Sequence, residues 1–402
     1  MPDFQGISTL AIHGGQSPDP ATGAILTPIY QSTTFVQEAV GQHKGFTYSR
    51  AGNPTVEALE RALGAIEDAP PAVCFSSGMA ATTTLLLSLL KSGDHVIISD
   101  VVYGGTTRLA RQILAPLGIA TSFVDTSNAD AVRDAITPQT RLVFIETPAN
   151  PTLKLSDIAA LAGVTRAAGI KLAVDNTFLT PLGQRSLELG ADISLLSTTK
   201  YVEGHNATVG GSVTTRDTEL LERLRFVRKT LGTIQSPQEA WLTLRGLKTL
   251  PFRIRLHSEN ALVVAKWLQK HPAIRYVLYP GLESFSQHEL AARQQLVSGG
   301  LISFEVKGGK DAGLALMNSV RLCSLAENLG AVETLITHPV TMTHADVPVA
   351  AREAAGITEG LVRLSVGLED PSDIIADLDR ALLVAAGATV DNVDQGASCV
   401  TR

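Results

Sequence analysis

Short apolar runs alternate with amphipathic segments between about residue 55 and residue 245. Residues 55–67 place apolar side chains at steps of three and four, which predicts a helix. Short strands are predicted in AVCFSS, HVIISD, TSFVD, RLVFIET, IKLAVDNT and ISLLSTT, and several are separated by helices such as SDIAALAGVTRAAG. This alternation predicts an α/β fold with a mostly parallel sheet flanked by helices. Ligands of such sheets bind beyond the carboxyl ends of the strands, so candidate chemistry is expected there.

The pattern changes on both sides of this region. Residues 1–55 are rich in Gly, Pro, Ser and Thr and weakly periodic, which predicts an extended N-terminal arm. Residues 56–245 would form the large α/β domain, and residues 246–402 a smaller α+β domain. The smaller domain is predicted from the helix NALVVAKWLQKHP, the strands in GLISFEVKGG and LVRLSVGLE, and the closing helix DIIADLDRALLVAAG. The polar tail from Thr389 to Arg402 is predicted to be loose.

Composition narrows the function classes. The chain has 402 residues and a formal net charge of −6, so a nucleic-acid partner is not expected. Its apolar runs fall short of a membrane span, and the N-terminus does not resemble a signal peptide. The three cysteines, Cys74, Cys323 and Cys399, are too scattered for a disulfide framework, and the histidines lack metal-ligand spacing. We therefore expect a cytoplasmic protein without a bound metal.

Two charged residues end predicted strands. Lys200 follows the apolar strand and hydroxyl residues of ISLLSTT, where an amine that loses water can lose its charge and form a Schiff base. Asp175 follows the apolar residues of KLAVD, where a carboxylate is costly without a partner. Asp175 could cap a helix or hold a protonated ring nitrogen, and Lys200 could be an ordinary surface lysine.

Two further strand ends suggest a bound planar group with a phosphate. Gly78 lies at a strand-to-helix turn, where the amides of Gly78 and Met79 could bind a phosphate or simply begin a helix. Tyr103 precedes two glycines and could stack on a ring or fill a loop. Together with Lys200 and Asp175, these positions describe a pocket for pyridoxal phosphate. Motifs for P-loop, dinucleotide, zinc-protease and serine-hydrolase sites do not occur.

Several segments match one family in the same order along the chain. The segment STTKYVEGH matches a specific lysine signature, and YSRAGNPT, SSGMAAT, DVVYGGT, ETPANPT, AVDNTFLTP and VRLSVGLED match other characteristic segments. From about Thr9 to Gly387 the chain resembles the pyridoxal-phosphate enzymes of cysteine and methionine metabolism, the cystathionine γ-lyase and γ-synthase group. The resemblance implies the aspartate aminotransferase-like fold, fold type I, of pyridoxal-phosphate-dependent transferases.

The resemblance also implies roles for individual residues. Lys200 would bind the cofactor covalently and act as the base, and Tyr103 would stack on the ring and act as the acid for a thiolate leaving group. Asp175 would pair with the ring nitrogen. The phosphate would be bound by Gly78, Met79, Ser197 and Thr199, together with Tyr48 and Arg50 of a neighbouring subunit. The active site would thus be shared within a dimer, two of which form a homotetramer.

The substrate is the least determined part of the resemblance. Arg363 would bind the substrate carboxylate with Asn150 nearby. Glu327 stands where γ-acting cystathionine enzymes carry an acid, and Asn328 replaces a common serine. Gly105 stands where methionine γ-lyases carry a cysteine, which argues against methionine as the main substrate. Ala207 stands where the family usually carries an aspartate.

Three hypotheses follow. The leading one is γ-elimination on L-cystathionine, which gives cysteine, 2-oxobutanoate and ammonia. The second is γ-replacement on O-succinyl- or O-acetylhomoserine by cysteine or sulfide, with the same catalytic residues. The third is a non-catalytic binding or scaffold protein, against which the intact Lys200 and Asp175 argue.

Overall fold

The structure is a computed structural model that describes residues 5–343, 345 and 349–387. The tail from Thr389 to Arg402, including Cys399, lies outside these residues. Contacts divide the chain into two units, which are Met1–Pro148 with Ser156–Phe252, and Ala149–Leu155 with Arg253–Arg402.

The first unit alternates strands and helices. Its strands are β1 (Val73–Phe75), β2 (His95–Ser99), β3 (Ala120–Val124), β4 (Thr140–Glu146), β5 (Lys171–Asp175), β6 (Ile193–Leu196) and β7 (Gly211–Thr215). Its helices are α1 (Ile7–His13), α2 (Pro54–Ile66), α3 (Gly78–Leu89), α4 (Gly104–Leu109), α5 (Ala129–Asp134), α6 (Ile158–Ala168), α7 (Thr180–Gly183) and α8 (Thr218–Leu231). Helix α4 continues as a π-helical turn, Ala110–Leu114, and a 3-10 turn, Ala115–Leu117.

The strands of the first unit form one sheet in the order β1-β7-β6-β5-β4-β2-β3 within the described chain. Only β7 runs antiparallel to its neighbours β1 and β6. The predicted mostly parallel sheet is confirmed, although the sequence pattern did not reveal β7. Alternate side chains cover both faces: Val96 and Ile98 pack with α3, and Ile97 packs with α6.

The second unit carries a mixed sheet. Its strands are β8 (Ile274–Leu278), β9 (Leu301–Val306), β10 (Ser324–Leu325), β11 (Leu335–Thr337) and β12 (Leu361–Ser365), in the order β10-β11-β12-β9-β8. Its helices are α10 (His288–Gln294), α11 (Gly309–Ser319), α12 (Val349–Ala354) and α13 (Pro371–Ala385). The core joins sheet residues such as Phe304 to Leu316 of α11 and Leu378 of α13. The second unit is therefore the predicted α+β structure.

A long helix, α9 (Pro237–Leu268), begins in the first unit and ends in the second. The sequence predicts only its last part, near NALVVAKWLQKHP, because Pro251 interrupts the helical pattern. The packed structure carries the helix through this proline. Among the described residues, no helix is long and apolar enough to cross a bilayer.

Candidate active site

The predicted lysine and aspartate lie at the same edge of the first sheet. Strand β5 ends at Asp175, and its neighbour β6 ends at Leu196, just before the segment Ser197–Lys200. The two strands are parallel, with Asp175 paired to Leu195, so their carboxyl ends meet. Glu146, the last residue of β4, pairs with Asp175 on the other side. The sheet therefore brings two polar strand ends, Glu146 and Asp175, next to the polar segment that follows β6.

Thr177 joins two of these elements and was not identified from the sequence. Its hydroxyl donates to Oδ1 of Asp175 at 2.5 Å and accepts from the amide of Ser197 at 2.8 Å. Its own amide also donates to Oδ1, at 3.1 Å. A threonine two residues after a strand-end aspartate was the available signal, but its contact with Ser197 is visible only in the fold.

The electrostatic environment of Asp175 suits a cationic partner. Burial raises the pKa of Asp175 to about 6, and the two hydrogen bonds from Thr177 act in the opposite direction. A positive group at this carboxylate would favour its ionised form. A protonated pyridine nitrogen fits this requirement.

The start of α3 has the features of an anion site. Ser77 caps the 12-residue helix, and its Oγ accepts from the amide of Ala80 at 3.0 Å rather than from Gly78 or Met79. A Cβ on Gly78 would lie 2.8 Å from Cβ of Ser197, so the close approach of these segments requires glycine. The amides at such a helix start bind phosphate well. Gly78, Met79 and Ser197 therefore fit a phosphate group.

The segment that carries Lys200 is held by its own turns. The amide of Lys200 donates to the carbonyl of Ser197 at 3.3 Å, and the Lys200 carbonyl accepts from Gly204 at 2.8 Å. The Thr199 hydroxyl donates to the carbonyl of Gly210 at 3.1 Å and accepts from the Gly210 amide at 2.9 Å. Thr199 thus ties the Lys200 segment to the residue before β7, and Lys200 itself is half-buried.

Tyr103 and Met79 meet at Gly105. A Cβ on Gly105 would lie 2.5 Å from Cε1 of Tyr103 and 2.9 Å from Sδ of Met79. Glu146 accepts from the amide of Tyr103 at 2.8 Å and so fixes the start of α4. The Tyr103 side chain is 49% exposed, which leaves its ring open to a planar partner. Glu146, buried at the end of β4, is a second residue that the sequence analysis missed.

Tyr48 and Arg50 lie together on the exposed N-terminal arm. The Arg50 guanidinium lies 5.5 Å from the centre of the Tyr48 ring, and its Nη1 donates to the carbonyl of Lys229 at 2.6 Å. Their reach into a neighbouring subunit stays a prediction.

The predicted substrate residues form a separate cluster in the second unit. Arg363, 3% exposed on β12, donates from Nη1 to Oδ1 of Asn150 at 2.9 Å and from Nη2 to the carbonyl of Asn328 at 3.0 Å. Nη2 also lies 3.3 Å from Oγ1 of Thr337. Glu327 is exposed beside Asn328. These neutral acceptors orient a buried cation, which suits a carboxylate ligand.

The first unit therefore has the features of a pyridoxal-phosphate site: a lysine, an acid for a ring nitrogen and glycine-adjacent amides for a phosphate. In the described part of the chain, no group of three or more His, Cys, Asp or Glu side chains could hold a metal ion. The fold and the site define a pyridoxal-phosphate-dependent enzyme of fold type I.

The comparison with known families agrees and is more specific. Residues 8–383 match the Cys/Met metabolism PLP-dependent enzyme family, and the chain belongs to this family. Its cofactor is pyridoxal phosphate, and its substrate is a small amino acid. The family that the sequence motifs suggested is confirmed.

Similar proteins include both lyases and synthases. The chain is 49% identical to a cystathionine γ-lyase of Sus scrofa over 96% of this chain and 95% of that protein. It is 48% identical to a cystathionine γ-synthase of Mycobacterium bovis over 94% of this chain and 98% of that protein. The chain is also similar to the crystal structure of a cystathionine γ-lyase from Lactobacillus plantarum complexed with L-serine, with a TM-score of 0.92 and 40% identity. The match covers 95% of this chain and 100% of that chain.

Proposed function

We propose that this enzyme catalyses γ-elimination on L-cystathionine, which together with one water gives L-cysteine, 2-oxobutanoate and ammonia. The observation that carries the proposal is the cluster of Asp175, Thr177 and Ser197 beside Gly78 at the edge of the first sheet. It supports the cofactor chemistry that this reaction needs, and similar proteins with the lyase name support the substrate.

Bound pyridoxal phosphate supplies an electrophilic aldehyde and a ring that withdraws electrons from the substrate. Oδ2 of Asp175, the oxygen that Thr177 does not contact, would pair with the protonated ring nitrogen. The amides of Gly78 and Met79 would hold the phosphate together with Ser197 and Thr199. Thr199 would give up its present bond with Gly210 to do so.

Two residues would move protons. The Lys200 amine would hold the cofactor covalently and, once the substrate displaces it, take the proton from the substrate α-carbon. Loss of a second proton, from the β-carbon, would then break the bond from the γ-carbon to sulfur. The Tyr103 hydroxyl would return a proton to the sulfur of the leaving thiolate, and the tyrosine ring would stack on the cofactor. The contact of Tyr103 with Gly105 supports this placement, because it sets the position of the tyrosine ring.

The second unit would recognise the substrate. Arg363 would bind its carboxylate with two N–H groups, and Asn150 would keep the guanidinium in this orientation. Glu327 and Asn328 would contact the remainder of the amino acid. The neutral oxygens around Arg363 support this role.

The second candidate is γ-replacement on O-succinyl- or O-acetylhomoserine by cysteine or sulfide. The 48% identity to a cystathionine γ-synthase favours it. The same residues would serve both reactions, because the two reactions diverge only after the γ-substituent leaves. Water then leads to elimination products, and a thiol or sulfide leads to the replacement product. A methionine γ-lyase activity is the least favoured because of Gly105.

We further propose a homotetramer in the cytoplasm. Residues 1–55 would form an arm that brings Tyr48 and Arg50 to the phosphate of a neighbouring subunit, while residues 56–245 bind the cofactor and residues 246–402 form the small domain. The exposure of Tyr48 and Arg50 on the described arm supports a partner of this kind.

Steady-state assays with cystathionine, O-succinylhomoserine and O-acetylhomoserine separate the two candidates. We expect the highest kcat/KM for cystathionine, with 2-oxobutanoate as product. A higher kcat/KM for either ester would replace the lyase proposal with γ-replacement.

A non-catalytic binding protein is tested with Lys200→Ala. We expect this variant to fold but lose turnover, because the amine that binds the cofactor and moves the proton is gone. Borohydride reduction of the wild type, followed by peptide mass mapping, should mark Lys200 alone. A reduced adduct on another side chain, or an active Lys200→Ala variant, would contradict the assigned role.

A further inference from the structure

The Thr177 hydroxyl makes two hydrogen bonds with different parts of the site. Oγ1 donates to Oδ1 of Asp175 at 2.5 Å and accepts from the amide of Ser197 at 2.8 Å. A hydroxyl has one proton and can accept as well as donate, so both bonds form on this single atom. Asp175 and the segment leading to Lys200 are therefore joined through one oxygen.

Burial makes this connection strong. Thr177 is 8% exposed, and hydrogen bonds between groups shielded from water are less weakened by solvent competition. Both donors of Thr177, the hydroxyl and the amide, reach the same oxygen, Oδ1. Oδ1 is thus fixed, and the orientation of Oδ2 is fixed with it.

We propose that Thr177 is a positioning residue that orients the Asp175 carboxylate toward the cofactor ring nitrogen and couples it to the Ser197 amide. This inference rests on the proposed roles of Asp175 and Ser197. Thr177 itself would not touch the reacting atoms. Its hydrogen bonds favour the ionised form of Asp175, which is the form that pairs with a protonated ring.

The test uses two replacements and one control. Thr177→Val keeps the shape of the side chain and removes the hydroxyl, while Thr177→Ser keeps the hydroxyl. Thr165→Val is the matched control, because Thr165 is also buried, at 1% exposed, but its hydroxyl donates within α6, to the carbonyl of Ala162 at 3.3 Å. Circular dichroism and thermal melting establish that each variant folds.

The measurement is binding to the apoenzyme. Each protein is titrated with pyridoxal phosphate and with a carbocyclic analogue in which CH replaces the ring nitrogen. We expect Thr177→Val to bind pyridoxal phosphate about tenfold or more weakly, because a hydrogen bond to a charged group is lost. The analogue, which has no ring nitrogen for Asp175, should lose much less affinity.

Thr177→Ser and Thr165→Val should bind both ligands nearly as the wild type does. The inference is wrong if Thr177→Val binds pyridoxal phosphate as tightly as the wild type, if it loses equal affinity for both ligands, or if Thr177→Ser fails to restore binding. These titrations need no substrate. A wild type that binds pyridoxal phosphate but does not convert cystathionine would refute the proposed function and leave the Thr177 inference standing.

Discussion

The two clusters of candidate site residues differ in how their surroundings affect a buried charge. In the first unit, burial disfavours the charge of Asp175 and raises its pKa to about 6. In the second unit, the charge of Arg363 is buried among oxygens of Asn150, Asn328 and Thr337 that accept its hydrogen bonds. A cationic ligand would therefore stabilise the ionised carboxylate of Asp175, whereas Arg363 is itself a cation that is already oriented.

This difference indicates two modes of recognition. A carboxylate whose charge is disfavoured gains most from a cationic ligand, which matches a protonated cofactor ring. A guanidinium that neutral acceptors fix in place loses little freedom when a carboxylate binds, which matches an amino-acid substrate. Replacements that change one charge at a time therefore separate cofactor binding from substrate binding.

Among the replacements that compare the two clusters, Asp175→Asn should have the largest effect on turnover. The neutral amide cannot pair with a cationic ring, so we expect kcat to fall by about a hundredfold or more. The folded pKa lies above the usual 3.8, so wild-type stability declines as the pH rises from about 3.8 to about 6. At pH 7 the free energy of unfolding of the apo variant should therefore exceed that of the wild type by up to about 3 kcal/mol. Urea titration measures this difference. Equal turnover by the variant would contradict the role of Asp175.

Arg363→Lys should mainly impair substrate binding. An ammonium group cannot make the two-pronged contact of a guanidinium, so we expect KM to rise by about ten- to a hundredfold. The affinity for pyridoxal phosphate should stay as in the wild type. Arg275→Lys is the control, since this exposed arginine pairs with Glu305 at 3.0 Å. An unchanged KM in Arg363→Lys would remove Arg363 from carboxylate recognition.

Gly105→Ala should have a moderate effect. The new Cβ would lie 2.5 Å from Cε1 of Tyr103 and 2.9 Å from Sδ of Met79, so the exposed tyrosine ring must move. We expect kcat/KM to fall by about tenfold, because a displaced acid lowers general acid catalysis. Gly163→Ala is the matched control, since a Cβ at this glycine of α6 meets no atom within 4 Å. Full activity in Gly105→Ala would show that the ring position does not matter.

Glu67→Gln should leave turnover unchanged. Glu67 and Asp175 are both acids whose pKa is raised by burial, but only Asp175 is assigned to the cofactor. Burial raises the pKa of Glu67 to about 7, while Ser194, Thr214 and Arg216 lower it. Its folded pKa exceeds the usual 4.5, so wild-type stability declines as the pH rises from about 4.5 to about 7. The variant should gain stability over the wild type across this window, by about 3 kcal/mol at most. Urea unfolding at several pH values measures the gain, and a loss of turnover would contradict the distinction between the two acids.

The sequence by itself indicated strands β1–β6, β9 and β12, several helices such as α2, α3 and α6, and the aspartate that ends β5. Hydrophobic periodicity is local, so the β5 and β6 regions could be read from a few residues each. The segment STTKYVEGH was specific enough to identify the family and to select Lys200. The carboxylate at the end of the apolar strand β5 pointed to Asp175 for the same reason, whereas Ser197 was predicted only through the family resemblance.

The tertiary structure alone decided which of these segments meet. The Thr177 hydroxyl contacts an amide 20 residues later in the chain, and Arg363 contacts a residue 213 positions away. Strand β7 takes its place between β1 and β6, and Glu146 reaches the amide of Tyr103. A local pattern records how a segment is buried but not its partner, because the partner is selected by the packing of the whole unit.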